Sequence, residues 1–376
     1  MVYRTLGRTG LRVSQLGFGA MRLPMIGTGA GARVDRDQAI PMIRRALEAG
    51  VNYVDTAVGY CNQDSQRVVG EALQGWRDRV VLSTKNPYFG DDEKVWWSHL
   101  ETSLERLQTS WIDVYHHHGI GWELYAGQIE PRLAGWMRKA QRQGLIRHIA
   151  CSFHDTNAAL LKLVGSGYPS VVTVQYNLLD RQLEEGLAAA HAAGIGVVVM
   201  GPVAGGRLGD NASVLAGLVP GIRQVPELAL RFVLANPHVT LALSGMGTLQ
   251  MVEENVRTCA DPVALSEADR RSIDGHLKQL KRMADLYCTG CNYCLPCPHG
   301  VAIPQIFECF NRGRVYGLWG SARGGYARIG ADPADTLKRA DACTGCGLCE
   351  TKCPQHIKIR DQLREAAAAL GEARPA

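Results

Sequence analysis

The chain has 376 residues, 46% of them apolar, a formal charge of +5 and twelve cysteines. That length and apolar content support one large domain with a smaller companion. The charge is mild and spread, with no basic run interleaved with aromatics, which argues against nucleic acid as a partner. No run of about eighteen apolar residues and no apolar leader core occurs, so neither a membrane span nor a secretory signal is expected. The cysteines are not spaced for disulfides, which suits a reducing, cytoplasmic setting.

In chain order, residues 2–20 read as a hairpin around Gly7-Arg8-Thr9-Gly10, followed by a buried strand at 15–19. Strand-like runs then recur at 52–55, 80–84, 112–117, 146–151, 171–175, 196–200 and 239–244, eight in all with the first. Helical patterns fill the gaps at 37–48, 95–107, 133–143 and 183–193, and Gly50, Gly144 and Gly194 stand as stop signals after three of them. The alternation predicts a parallel sheet, and eight such units over about 250 residues predict a closed (β/α)8 barrel. An open doubly wound sheet is the alternative, weakened because no G-x-G-x-x-G follows the first strand. The glycine-rich stretch 27–31 reads as a flexible lid. We expect the barrel to occupy residues 1–265, a connecting helix residues 266–286, capped by Ser266 with Asp269, and a small, mainly α-helical domain residues 287–376. Phe307, Phe310, Tyr316, Leu318 and Trp319 are its candidate core.

The most specific motif lies in that last part. C-T-G-C-N-Y-C-L-P-C-P begins at Cys288 and C-T-G-C-G-L-C-E-T-K-C-P at Cys343, and together they hold eight of the twelve cysteines. Three cysteines at C-x2-C-x2-C spacing put three thiolates within reach of one cubic cluster, while the fourth, before proline, ligates the other cluster in two-cluster ferredoxins. The expected ligand sets are Cys288, Cys291, Cys294 and Cys353 for one [4Fe-4S] cluster, and Cys343, Cys346, Cys349 and Cys297 for the second. A pair of four-cysteine zinc sites is the alternative, but those sites usually come as two C-x2-C pairs. The first run departs from the usual spacing, with two residues rather than three between Cys294 and Cys297.

In a (β/α)8 barrel the reacting groups sit at the C-terminal ends of the strands. Those ends carry Asp55 and Tyr60, Lys85, the triplet His116-His117-His118, Ser152, and Gln175-Tyr176-Asn177. The set is chemically coherent. A lysine cation beside a tyrosine should lower its pKa, an aspartate should keep the lysine charged, and a histidine can polarise a carbonyl oxygen that the tyrosine protonates. Cys61, next to Tyr60, lies at the expected pocket mouth with no base identifiable nearby. Cys151, Cys259 and Cys309 read as buried residues, and Trp96, Trp97 and Trp111 as packing.

These stretches resemble the aldo-keto reductase family. The resemblance rests on Y-R-T-L-G-R-T-G-L-R-V-S-Q-L-G-F-G from Tyr3, D-T-A-V-G-Y from Asp55, S-T-K-N from Ser83, I-D-V-Y-H-H-H from Ile112, V-Q-Y-N from Val174 and E-E-N from Glu253, spanning residues 1 to about 260. It implies a tetrad of Asp55, Tyr60 as general acid/base, Lys85 and His118. His117 then faces the other side of the strand, and His116 shares the side of His118. It also implies NADPH or NADH bound in an extended form across the barrel mouth, with Asp55, Ser152, Gln175, Met200, Gly245, Glu254 and Asn255 as contacts, the last two at the start of a helix near the adenine end. Barrel and cysteines together resemble a bacterial and archaeal subgroup, the ferredoxin-fused aldo-keto reductases. Three positions depart from the family pattern. Met200 stands where an aromatic ring would stack on nicotinamide, Phe153 replaces the asparagine after Ser152, and the loop Ser244-Gly245-Met246-Gly247-Thr248 lacks a basic residue for a 2′-phosphate, although Arg257 is near.

Hydride transfer moves two electrons together and a [4Fe-4S] cluster takes one, so exchange between them needs a mediator such as a flavin, or a substrate that tolerates a radical. A barrel can hold a flavin without any motif. Three functions follow for the chain. In one it is a carbonyl reductase or alcohol dehydrogenase with structural or sensing clusters. In another the clusters pass electrons between the barrel and an external one-electron carrier. In the third the barrel is a non-redox isomerase or lyase using Tyr60 and Lys85, or the protein is an electron-carrier docking module. The segments 119–129 and 205–224 are the expected pocket-shaping loops.

Overall fold

The computed structural model describes residues 1–27, 31–204, 208, 215, 218–222, 224–262, 265–285, 288, 292, 294–332, 336–353 and 357–371. The chain divides into two compact units, residues 1–204 with 229–264, and residues 205–228 with 265–376. Each is described by itself.

The first unit begins with an antiparallel hairpin, β1 (Tyr3–Thr5) and β2 (Arg12–Ser14). The turn between them approaches the barrel so closely that a Cβ on Gly7 would lie 2.3 Å from the Gly196 nitrogen, so only glycine fits there. Then come β3 (Leu16–Gly19), a short ladder of β4 (Met25–Ile26) with β5 (Arg33–Val34), and the remaining barrel strands: β6 (Tyr53–Asp55), β7 (Val81–Asn86), β8 (Ile112–Ile120), β9 (Ile146–Phe153), β10 (Val171–Gln175), β11 (Gly196–Met200) and β12 (Leu241–Ser244). Strands β3 and β6 to β12 form one closed parallel barrel, sealed by β12 pairing with β3. All eight expected strands are present.

Three strands run further than their sequence suggests: β7 to Asn86, β8 to Ile120 and β9 to Phe153. Polar and glycine residues there have poor strand propensity, but pairing continues through Lys85 with His116, Asn86 with His117, and Ile120 with Phe153. Lys85 and His118 are therefore fixed in strands rather than on loops. Glycine 27 and Gly31 flank the β4–β5 connection, but residues 28–30 of the expected lid lie outside the described residues, as does most of the 205–224 loop.

The helices follow the apolar periodicity. In Arg36–Glu48 the buried Ala39, Met42, Ile43, Ala46 and Leu47 make one stripe, and the Asp35 carboxylate accepts from the Gln38 amide to start the helix. Gly50, Gly144 and Gly194 take left-handed φ values of +93°, +77° and +71° after their helices. The N-terminal end of the barrel interior is filled by Tyr53, Val81, Val114, Val171 and Leu241, with Leu6 and Val13 of the hairpin region closing it. Polar side chains are thereby left to the other end.

The second unit is mainly helical: Glu267–Asp285, Ile303–Tyr316, Trp319–Arg328, the single turn Leu348–Thr351, and Ile359–Gly371. Ser266 caps the first helix as expected, its hydroxyl accepting from the Asp269 amide while Asp269 accepts from the Ser266 amide. Phe307, Phe310, Ile306, Tyr326 and Leu363 form the core, with Trp319 and most of the described cysteines packed on it. Leu318 is buried as well, while Tyr316 is only half-buried. No helix among the described residues is long and apolar enough to cross a membrane.

Candidate active site and cluster cavity

Alternation along the strands builds the polar end of the barrel. Asp55 ends β6 in register with Ser83 of β7, and Lys85 follows two residues later on the same side. The Lys85 ammonium donates to Asp55 Oδ2 at 2.5 Å and to the Thr56 carbonyl at 2.8 Å, and both side chains are buried. Ser83 Oγ donates to the other Asp55 oxygen at 2.7 Å, so the carboxylate is held from two sides. Tyr60 comes from the turn after β6. Lys85 Nζ lies 4.8 Å from the centre of its ring, and His118 meets that ring edge-on with centroids 5.9 Å apart. The four residues of the expected tetrad are thus brought together.

Electrostatics sets their protonation states. Burial opposes the Lys85 charge, but Asp55 and Tyr60 outweigh it and hold the lysine pKa above its ordinary value. The sequence led us to expect a lowered Tyr60 pKa. Instead burial raises it, Asp55 adds to the rise, and the opposing Lys85 cation does not overcome the two. Tyr60 is therefore a neutral phenol over the ordinary pH range, an acid with its proton in place. His118 is pushed down to about 4 by burial and by Lys85, so it is a neutral imidazole.

The neighbouring histidines divide as alternation requires. His116 is fully buried inside the barrel; its Nδ1 lies 3.3 Å from the Thr84 carbonyl, which only accepts, and its Nε2 lies 2.9 Å from Thr173 Oγ1. That pattern selects the Nδ1–H tautomer. His117 points outward, with Nε2 2.9 Å from the Tyr168 hydroxyl, and burial and His116 lower it to about 3. Cys61 places its sulfur 3.6 Å from the Met21 carbonyl oxygen, and burial raises its pKa, so the thiol stays protonated. Cys151, Cys259 and Cys309 are buried as expected. Ser83 was not singled out from the sequence; its position two residues before Lys85, on the same strand face, was the available signal.

The expected cofactor contacts separate into two groups. Ser152, Gln175 and Met200 stand at the C-terminal ends of successive strands, with Gln175 and Met200 paired in register and Ser152 paired with Thr173. A hydroxyl, an amide and an apolar thioether on one rim fit a nicotinamide carboxamide and ring. Glu254 and Asn255 differ from expectation. Thr248 caps the helix Leu249–Thr258, so both lie in its second half rather than at its start. Asn255 donates to Ser244 Oγ at 2.9 Å, and Glu254 accepts from Gln250 at 2.8 Å. Gly245 has the Arg22 side chain beside it; an added Cβ would lie 2.9 Å from Arg22 Cγ. That brings a basic side chain from the β3–β4 connection to a loop that has none of its own.

In the second unit Cys297 of the first run meets the second run. Cys294, Cys297, Cys343, Cys346 and Cys349 line one cavity of about 190 Å³, with Lys352 and Arg360 at its edge. Soft thiolates from both runs around one compact space suit an iron–sulfur cluster. Cys288 and Cys353 pack on the same small core. Cys291 lies outside the described residues.

Residues 15–214 match the aldo/keto reductase family, and residues 287–358 match the 4Fe-4S dicluster domain. An uncharacterized oxidoreductase of Bacillus subtilis, YqkF, is 28% identical over 314 residues, covering 73% of this chain and 96% of its own. L-galactose dehydrogenase of Arabidopsis thaliana is 28% identical over 310 residues, covering 74% and 95%. Among solved structures, the holo form of an aldo-keto reductase from Bacillus halodurans superposes with a TM-score of 0.61 at 30% identity, covering 73% of this chain and 96% of that one. This chain belongs to the aldo/keto reductase family, as an oxidoreductase whose barrel is followed by a 4Fe-4S dicluster domain.

Proposed function

We propose that the protein reduces a small carbonyl compound, or oxidises the corresponding alcohol, at Asp55, Tyr60, Lys85 and His118. The observation that carries this reading is the buried Lys85–Asp55 pair set against the Tyr60 ring, with neutral His118 at that ring's edge. NADH or NADPH, when bound, supplies the hydride. The protein's own residues manage the proton. As the carbonyl oxygen gains charge, the Tyr60 hydroxyl transfers its proton to it, leaving a phenolate that Lys85 stabilises and solvent reprotonates. Asp55 keeps Lys85 charged and aimed, and the N–H of neutral His118 holds the oxygen in place.

We assign the barrel to residues 1–265, the connecting helix to 266–286 and the dicluster domain to 287–376. In this reading Cys288, Cys291, Cys294 and Cys353 hold one [4Fe-4S] cluster, and Cys343, Cys346, Cys349 and Cys297 hold the other. The relative named for L-galactose oxidation supports a small hydroxyl-bearing substrate. The clusters either hold their domain together or exchange single electrons with an external carrier. The test is fluorescence titration of the anaerobically purified chain with NADH and NADPH, followed by oxidation of the bound reductant on adding carbonyl compounds. Binding with carbonyl-dependent oxidation is expected; failure of both nucleotides to bind overturns the reading.

A further inference from the structure

A concavity of the first unit, of about 740 Å³, opens between the β4–β5 ladder, the turn after Tyr60 and the end of the helix Glu93–Arg106. It has the size of a small-molecule site. Arg106 reaches into it in an unusual state. Among the described residues its Nε and Nη1 are buried without a hydrogen-bond partner, and its Nη2 touches only Gln63 Oε1, at 3.4 Å. Arg106 as a whole is half-buried, but donors shielded from solvent and left unpaired are costly, and such a donor in a native fold points to a group that satisfies it.

The surrounding charges favour an anion. Arg33 and Arg67 also line the concavity and, among the described residues, neither has a carboxylate within ion-pair distance. Of the carboxylates there, Asp64 is taken by Arg36 at 2.9 Å and by the Val34 amide, and Asp35 is taken by the amide and side chain of Gln38. With Asp64 paired to Arg36, the Asp35 and Asp37 carboxylates remain against three arginines, which leaves the lining net positive. Guanidinium forks match the planar, bidentate edges of phosphate and carboxylate groups.

We propose that this concavity binds a multiply charged oxyanion, phosphoryl or polycarboxylate, carried on a small molecule and held by Arg106, Arg67 and Arg33. The site is separate from the tetrad, but its wall includes Asn62 and Gln63, two and three residues after Tyr60, and Cys61, Asn62 and Gln63 take left-handed φ values of +51°, +53° and +68°.

Calorimetric titration of the full chain, purified anaerobically with its clusters, tests this with sodium pyrophosphate and, separately, sodium citrate at matched ionic strength. Saturable binding of at least one is expected, weakened about tenfold or more in Arg106→Gln and several-fold in Arg67→Gln. A response to pyrophosphate alone identifies a phosphoryl ligand, and a response to citrate alone a polycarboxylate. Arg67 is exposed, so its variant keeps the test open if Arg106→Gln folds poorly. Binding of neither probe, or binding by both variants as tightly as by the unaltered chain, overturns the proposal.

Discussion

The barrel and the cysteine-rich unit solve the problem of holding a reactive centre in opposite ways. In the barrel, eight paired strands fix Asp55, Lys85 and His118, and the hydrogen bonds from Ser83 and to Thr56 complete the orientation. In the cysteine-rich unit the candidate ligands come from short runs that hold no strand among the described residues, packed on a core of a few helices. A centre fixed by strand pairing is held by the chain itself, whereas thiolates gathered around one space need the cluster to hold them. The two should therefore respond differently to the same kind of damage.

The largest effect is expected at the barrel. Tyr60→Phe removes the proton donor and should lower kcat by about 10²–10⁴-fold while nicotinamide binding and cluster absorbance stay unchanged. If Cys346→Ala lowers turnover as much with nicotinamide still bound, the two regions share an electron path and are not independent. Next comes Lys85→Met. It leaves the buried Asp55 carboxylate without its cation and should cost about 3–5 kcal/mol of stability, read by denaturant unfolding. An Asp55→Asn, Lys85→Met double variant should recover part of that loss. A single-variant cost near zero would mean that the pair contributes nothing to the fold.

Cys297→Ser should strike the other region. Iron content should fall by about half, one of the two clusters, and thermal unfolding should gain an early phase, with barrel turnover retained. Full iron retention would remove Cys297 from the ligand set.

The pH response is smaller and sharpens the barrel side. His118 titrates near 4 in the folded chain and near its ordinary value of about 6.5 when unfolded. Between those values the unfolded chain binds the proton and the folded chain does not. The stability from keeping His118 neutral is complete above about pH 6.5 and is lost as pH falls towards 4. His116 and His117 act with the same sign. Melting temperature should thus drop from pH 7 to pH 5, less steeply in His118→Asn. Carbonyl reduction should show no histidine inflection near neutrality and should decline only in strongly alkaline solution, as Tyr60 ionises. The smallest effect belongs to Ser83→Ala, which removes one of the hydrogen bonds to Asp55 and should lower kcat a few-fold, consistent with about 1 kcal/mol.

Sequence patterns reveal these two regions unequally. Strand–helix alternation and glycine stops make the barrel legible, because period and turn chemistry are local properties. The strand-end rule likewise groups Asp55, Lys85 and the histidine triplet. The extensions of β7, β8 and β9 are not legible, since they follow from pairing with neighbours distant in sequence. Nor is the direction of the Tyr60 shift, because burial is a tertiary quantity and outweighs the nearby cation that the motif announces. The place of Glu254 and Asn255 in their helix is not legible either, because Thr248, a modest cap, starts that helix earlier than the loop composition suggests. In the cysteine runs the reverse holds. Spacing announces the ligands clearly, while the helices around them carry no pattern that predicts how Cys297 reaches Cys343, Cys346 and Cys349.

Direct passage of hydride to the substrate at Tyr60 and His118, as proposed, is tested by turnover with nicotinamide deuterated at the transferring position and mass analysis of the alcohol formed. One deuterium is expected on the former carbonyl carbon, in the unaltered chain and in Cys297→Ser alike. Solvent hydrogen at that carbon would contradict direct transfer, because electrons and protons would then reach the substrate separately.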